Sequence, residues 1–232
     1  MKVPGRIGVS ALIILFLAVG LCYGQSAAMQ HLIKGVDYAA QGKFEEAKEE
    51  FGKVSKADPL YESAQEDLKV IEDVIDKKIK SKTAIHLYKG VTYVHKRQYD
   101  EAISDYTKAI EINPRFAMAY RTRGTAYFRK RQYDQAISDY TKAIEINPRY
   151  ARAYYSRGLA YEEGKGQYDQ AISDYTKAIE INPRYVDAYN NRGFIYMVRL
   201  EDKKKACADW KRACELGSCR NYEIARRSGD CE

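Results

Sequence analysis

Apolar residues along this chain recur at helical spacing, with few long runs and no strict alternation. Ala136, Ile137, Tyr140, Ala143 and Ile144 share one face of a 3.6-residue period, while Ser138, Asp139, Lys142 and Glu145 take the others. That pattern predicts an amphipathic helix. Asn147-Pro148 closes it, because the residue before a proline is pushed out of helical geometry, and Asn113-Pro114 and Asn182-Pro183 repeat the signal. From Leu60 to Lys82, Ala64, Leu68, Ile71, Val74, Ile75 and Ile79 keep the same spacing without a glycine or proline, so one long helix is expected. The start of the chain differs. Lys2 and Arg6 precede an apolar run from Ile7 to Leu21, followed by small and polar residues from Gly24 to Ala28.

The helical pattern is also periodic on a longer scale. Gln132 to Tyr150 and Gln167 to Tyr185 are the same string, QYDQAISDYTKAIEINPRY, offset by 35 residues, and Gln98 to Phe116 differs from it at two places. Within one period, Gly124 and Ala136 offer little or no side chain, so two antiparallel helix backbones can approach there while Tyr127 and Tyr140 fill the space beside them.

With Tyr120, Gly124, Tyr127, Ala136, Tyr140, Ala143 and Pro148 at these spacings, the chain resembles the tetratricopeptide-repeat (TPR) family. The resemblance implies an all-α, right-handed solenoid of stacked helix-turn-helix units. Five units are expected: a divergent first over residues 28–61, then 83–116, 117–150, 151–185 and 186–217, with a spacer helix over 62–82 and a cysteine-containing capping helix and tail over 218–232. Unit four carries one extra residue, which the Gly164-Lys165-Gly166 turn is expected to absorb.

In this family the first helices of successive units line a concave groove. Matching positions here are Leu87, Val91, Val94 and His95, then Arg121, Thr125, Phe128 and Arg129. Unit four supplies Tyr155, Leu159, Glu162 and Glu163, and unit five Asn190, Phe194, Met197 and Val198. A protein or peptide partner is expected there, with Phe128 and Tyr155 as its main contacts, while packing between adjacent first helices is an equal expectation for Val91, Leu159 and Phe194. The asparagine that the chaperone-binding members carry after each glycine is replaced by Val91, Thr125, Leu159 and Phe194, so no carboxylate clamp is expected.

The opening segment, residues 1–24, has the layout of a secretory signal, and its apolar stretch falls short of the roughly 20 residues of a permanent span. The protein is therefore expected to be periplasmic or secreted. The alternative is an uncleaved anchor at residues 7–21, which would make it a membrane-tethered subunit of an envelope or secretion complex. A lipoprotein site at Cys22 is disfavoured by the bulky Leu21 before it. The formal charge of +7 falls to +5 without Lys2 and Arg6, and the bases are interleaved with Asp and Glu, so nucleic acid is not an expected partner.

Cys207, Cys214, Cys219 and Cys231 gather at one end, an even number suited to disulfides in an oxidising compartment. Cys207 and Cys214 lie about 10 Å apart along a helix, too far to pair. An antiparallel return of Arg220 to Arg227 favours Cys207–Cys231 and Cys214–Cys219 among the three possible connectivities. A redox- or metal-active use of these cysteines is the rival reading. It has no Cys-x-x-Cys or nearby histidine behind it, so no metal and no cofactor are expected. Converging catalytic groups are not evident, and an enzyme is not expected. Asp105, Asp139 and Asp174 repeat with the fold, which makes them solvent-facing or paired with arginines such as Arg123 and Arg157. His31 and His86 are expected to pack.

Overall fold

A computed structural model describes residues 26–231. The expected signal segment 1–24, the alternative anchor at 7–21 and Cys22 lie outside the described residues. Regular structure among the described residues is entirely helical, in consecutive hairpins. No helix among them is long and apolar enough to cross a membrane. The chain divides into two compact units, one ending at Thr92 and the other beginning at Tyr93.

The first unit contains α1 (Ala27–Ala40), α2 (Phe44–Gly52), α3 (Tyr61–Ile75) and most of α4 (Ser81–His95). Ser26 caps α1 by accepting from the Met29 N–H at 3.2 Å. Gly35 lies so close to the Phe51 ring that a Cβ would overlap it. Phe51 in turn stacks at a tilt on Tyr88, 6.2 Å between ring centres, and the Tyr88 hydroxyl donates to the Asp67 carboxylate at 3.2 Å. His31 is not simply a packing residue, since its Nδ1 pairs with the Glu50 carboxylate at 2.7 Å. Lys53 and His31 together hold Glu50 below the usual carboxylate range.

The spacer does not run as one helix across 62–82. α3 stops at Ile75, and Lys77 turns the chain with a left-handed φ of 59°. The Ile79 N–H folds back to the Asp73 carbonyl at 3.0 Å, and the Lys78 ammonium reaches the carboxylates of both Asp73 and Asp76. A helix end of this kind normally uses glycine; here a local charge cluster accompanies the turn.

The second unit stacks α5 (Tyr99–Ile112), α6 (Ala117–Arg129), α7 (Tyr133–Ile146), α8 (Ala151–Leu159) with a π-helical turn (Ala160–Lys165), α9 (Tyr168–Ile181), α10 (Val186–Val198), α11 (Lys203–Glu215) and α12 (Arg220–Arg227). Each hairpin closes where glycine meets an aromatic ring. A Cβ on Gly124 would come within 2.8 Å of the Tyr140 ring, one on Gly158 within 2.7 Å of Tyr175, and one on Gly193 within 2.8 Å of Trp210. The alanines of the second helices, Ala136, Ala143, Ala171 and Ala178, are fully buried.

The extra residue of the fourth repeat is absorbed inside the helix end, as the π-helical turn, and not in the loop beyond it. The bond that closes the turn shows the difference. In the third repeat the Gln132 N–H reaches back five residues to the Tyr127 carbonyl, while in the fourth the Gln167 N–H reaches back six, to Tyr161. Gly164 of the π turn abuts the Tyr133 ring with no room for a side chain. Gly166 then takes the left-handed conformation that Arg131 adopts at the matching place in the third repeat.

At the far end Trp210, Ala206, Ala225 and Cys231 form a small core between α11 and α12. Cys207 is bonded to Cys231, with Cα atoms 5.6 Å apart, and Cys214 to Cys219, with Cα atoms 3.9 Å apart. Gly217, at φ 105°, makes the bend between these helices.

Candidate partner-binding face

One ladder of charged groups fixes how the hairpins of the second unit stack, and therefore how their first helices line up. Arg123 on α6 donates through Nε and Nη2 to both oxygens of Asp139 on α7, each at 2.8 Å, and its Nη1 donates to Thr107 on α5 at 3.0 Å. Arg157 repeats this with Asp174 and Thr141, and Arg192 with Asp209 and Thr176. Each arginine thus ties the two helices of its own hairpin to the second helix of the preceding one. Asp139, Asp174 and Asp209 are buried, which settles their role as paired structural groups. Tyr120 and Tyr127 flank Arg123, and Tyr154 and Tyr161 flank Arg157, as cation–π partners.

The candidate contact residues fall into three groups. Leu87 in the first unit is fully buried, and Tyr155 in the second is only 8% exposed. Both belong to the packing between helices, so Tyr155 is not the accessible contact the sequence pattern suggests. Its ring lies 4.9 Å from that of Tyr185 and 5.6 Å from that of Tyr175, and its hydroxyl accepts from the Asn191 amide at 3.1 Å. Leu159 packs on the same cluster.

A second group is half-buried and committed to neighbours. Arg121 donates to the Tyr150 hydroxyl at 2.6 Å and lies over that ring. Thr125 accepts from the Tyr140 hydroxyl at 3.3 Å. Phe128 meets the edge of Tyr133 at 5.5 Å between ring centres. Asn190 is held by the cap, its amide donating to Ser218 and its side-chain oxygen accepting from Asn221. Met197 packs against the Trp210 cluster. Val91 is half-buried in the first unit, as Val94 and Arg129 are in the second.

The third group faces solvent. His95 and Glu163 are exposed, and Phe194 and Val198, one turn apart on α10, are 44% and 49% exposed. Leu200, just beyond, is 48% exposed.

Glu162 stands between the last two groups. Its carboxylate accepts from the Tyr175 hydroxyl at 2.6 Å and makes no salt bridge among the described residues. Burial raises its pKa, opposed by the tyrosine hydrogen bond and by Arg199. Glu163, on the exposed side of the same turn, is also raised by partial desolvation, with Arg129 and Arg131 pulling the other way. Burial alone raises Asp187, a residue the motif positions do not include. It sits in the first turn of α10, where the helix dipole favours a carboxylate.

No group of three or more metal-ligating side chains occurs among the described residues. The shallow cavity beside Arg123, about 380 Å³, is lined by Tyr127, Asp134, Gln135, Ser138 and Asp139 and holds part of the structural ladder.

Comparison with known proteins fits this geometry. A TPR repeat model matches residues 124–163 and 165–197, and two tetratricopeptide-repeat models match residues 84–116 and 105–138. No curated protein sequence matches the chain. Among solved structures, a crystal structure of MamA is similar at 29% identity and a TM-score of 0.55, covering 78% of this chain and 93% of MamA. The first TPR domain of human RPAP3 is 30% identical with a TM-score of 0.50, covering 53% of this chain and 95% of that domain. The all-helical hairpins, the glycine–aromatic contacts and these matches agree that the repeats between residues 84 and 197 are tetratricopeptide repeats.

Proposed function

We propose that the protein is an exported interaction scaffold, holding a segment of a partner protein on the first-helix face of its second unit and performing no chemistry itself. The observation that carries this reading is a contrast between the two helices of each repeat. The second helices of the third and fourth repeats are identical in sequence, and that of the second differs at one place. The face positions of the first helices share nothing: Arg121, Thr125, Phe128 and Arg129 become Tyr155, Leu159, Glu162 and Glu163, then Asn190, Phe194, Met197 and Val198. Packing demands the same side chains at each step of a stack. Where these changing positions reach solvent, at Glu163, Phe194 and Val198, they are free of that demand and suited to reading a partner.

Two disulfides at the cap support the oxidising compartment that the basic-then-apolar start of the chain suggests. N-terminal sequencing of the protein recovered from the periplasm tests the export reading; retention of residues 7–21 in a membrane fraction would replace it with the tethered one. The binding face is tested by a photo-crosslinking residue at Phe194, compared with one at Lys142 on the exposed side of α7. A protein adduct from position 194 and none from 142 is the expected result. Equal labelling from both positions, or from neither, overturns the reading.

A further inference from the structure

The exposed large apolar residues of this protein are not scattered. Of the four among the described residues, Phe194, Val198 and Leu200 lie within seven positions of one another at the end of α10, and Ile224 is the fourth. By contrast the rings of Tyr106, Tyr140 and Tyr175 are at most 2% exposed. Phe194 and Val198 are i and i+4 on one helix, so they present a single apolar strip to water.

The neighbouring first helix ends in the π turn, which carries two successive carboxylates, Glu162 and Glu163. Glu162 has one neutral hydrogen-bond donor, Tyr175, and no salt bridge among the described residues. Three buried carboxylates of this unit show the contrast: Asp139, Asp174 and Asp209 each meet a bidentate arginine, whereas Asp105 has Lys108 at 3.8 Å. A partly buried carboxylate without a salt bridge is costly to keep, and here it stands on the first helix next to the one that bears the uncovered apolar strip.

We propose that this corner takes a cationic amphipathic helix of the partner, with a Lys or Arg opposed to Glu162 and Glu163 and apolar side chains laid on Phe194 and Val198. The proposal rests on the interaction reading above and specifies its chemistry. Adjacent packed helices lie roughly 8–10 Å apart. A helical partner spans that step in about seven residues, so its base and its leading apolar residue would stand two turns apart. Arg129 and Arg131 already act on Glu163 from one side, and Arg199 acts on Glu162 from the other. The incoming cation would therefore complete a carboxylate pair that is only partly compensated.

The test uses the full chain with its disulfides intact and two labelled helical probes of roughly 18 residues, one of Leu and Lys and one of Leu and Glu in the same pattern. Fluorescence anisotropy should show the lysine probe binding at least about tenfold more tightly than its glutamate twin. Glu162→Gln with Glu163→Gln should remove most of that preference. Phe194→Ser with Val198→Ser should weaken both probes, with circular dichroism confirming that each variant is folded. Glu163→Lys should shift the preference toward the glutamate probe. Equal binding of the two probes to the unaltered chain, or an unchanged preference in the Gln pair, overturns the proposal. A protein adduct from position 194 together with equal probe binding would sink this inference and leave the scaffold reading standing; absence of the adduct would sink the scaffold reading itself.

Discussion

Arg157 grips Asp174 with two parallel hydrogen bonds, Nε to Oδ2 and Nη2 to Oδ1, both 2.8 Å long. Its remaining arm donates to Thr141 on the second helix of the preceding hairpin at 3.0 Å. One side chain therefore supports both the hairpin and the joint between hairpins. Burial pushes the Asp174 carboxyl up while the guanidinium pulls it down, and the same bonds raise Arg157. Bidentate geometry is specific to arginine, since lysine offers only a point charge.

Asp174→Ala should cost about 3 kcal/mol in urea unfolding, because it leaves a half-buried guanidinium without its carboxylate. Arg157→Lys should cost less but remain destabilising, by about 1–2 kcal/mol, through loss of the fork and of the Thr141 contact. Replacing both partners, Arg157→Met with Asp174→Leu, should cost less than Asp174→Ala alone. If the double change proves the worst of the three, Arg157 and Asp174 are not a coupled pair.

Glycine positions separate close approach from bare helix. Gly124→Ala would set a Cβ 2.8 Å from Tyr140 Cε1 and 3.2 Å from the Ala136 carbonyl, so the hairpin must open, at a cost of about 1–3 kcal/mol. Gly52, in the last turn of α2, has nothing within 4 Å of the position a Cβ would take. Gly52→Ala should stabilise by about 0.5 kcal/mol through helix propensity and chain entropy. Thermal unfolding of the two variants should move in opposite directions.

Much of this architecture was legible in the sequence, and the parts that were not have local causes. Identical second helices expose the repeat and its period directly. The Arg–Asp pairs span 16 or 17 residues across a turn, so spacing alone offers a pairing but not its bidentate form or the threonine arm. α3 ends at Ile75 because Lys77 takes a left-handed φ without being glycine, a choice no helix-stop residue announces. Tyr155 reads as a groove residue because its position matches one. Its burial is decided by Tyr185 and Asn191, which close over it, and a repeat alignment does not carry that size information. The π turn was visible only as one residue too many.

Glu162 makes the first-helix face sensitive to pH. Its folded pKa is raised above the ordinary carboxyl value by burial. Sign follows from linkage: the folded state holds the proton more tightly than the unfolded chain, so this group's contribution is fully present below the unfolded carboxyl pKa and is lost as pH rises through the folded one. Glu162→Gln keeps a neutral acceptor for the Tyr175 hydroxyl at every pH. The variant should melt higher than the unaltered chain near neutrality, and the difference should shrink as pH falls toward the ordinary carboxyl range. Melting curves for the pair at neutral and acidic pH decide it; a difference that grows on acidification contradicts the burial assigned to this carboxyl.

The cap can be released selectively, and the protein carries its own reporter for that event. Trp210 is the single tryptophan of the chain, only 7% exposed, packed with Ala206, Ala225 and Cys231. Cys207–Cys231 closes a separation of 24 residues and pins the end of α12 to α11, whereas Cys214–Cys219 closes only 5. Chain entropy in the unfolded state makes the longer loop worth about 3.5 kcal/mol and the shorter about 2. Cys207→Ala with Cys231→Ala should therefore loosen α12, shift Trp210 emission to the red under native conditions and lower the unfolding midpoint. Cys214→Ala with Cys219→Ala should leave the emission close to its original position. The asymmetry matters for the binding face, because Asn190 on α10 is held by Asn221 and Ser218 of this cap. Loosening the cap frees the helix that bears Phe194, so the first pair of changes should also weaken the lysine probe, while the second pair should not.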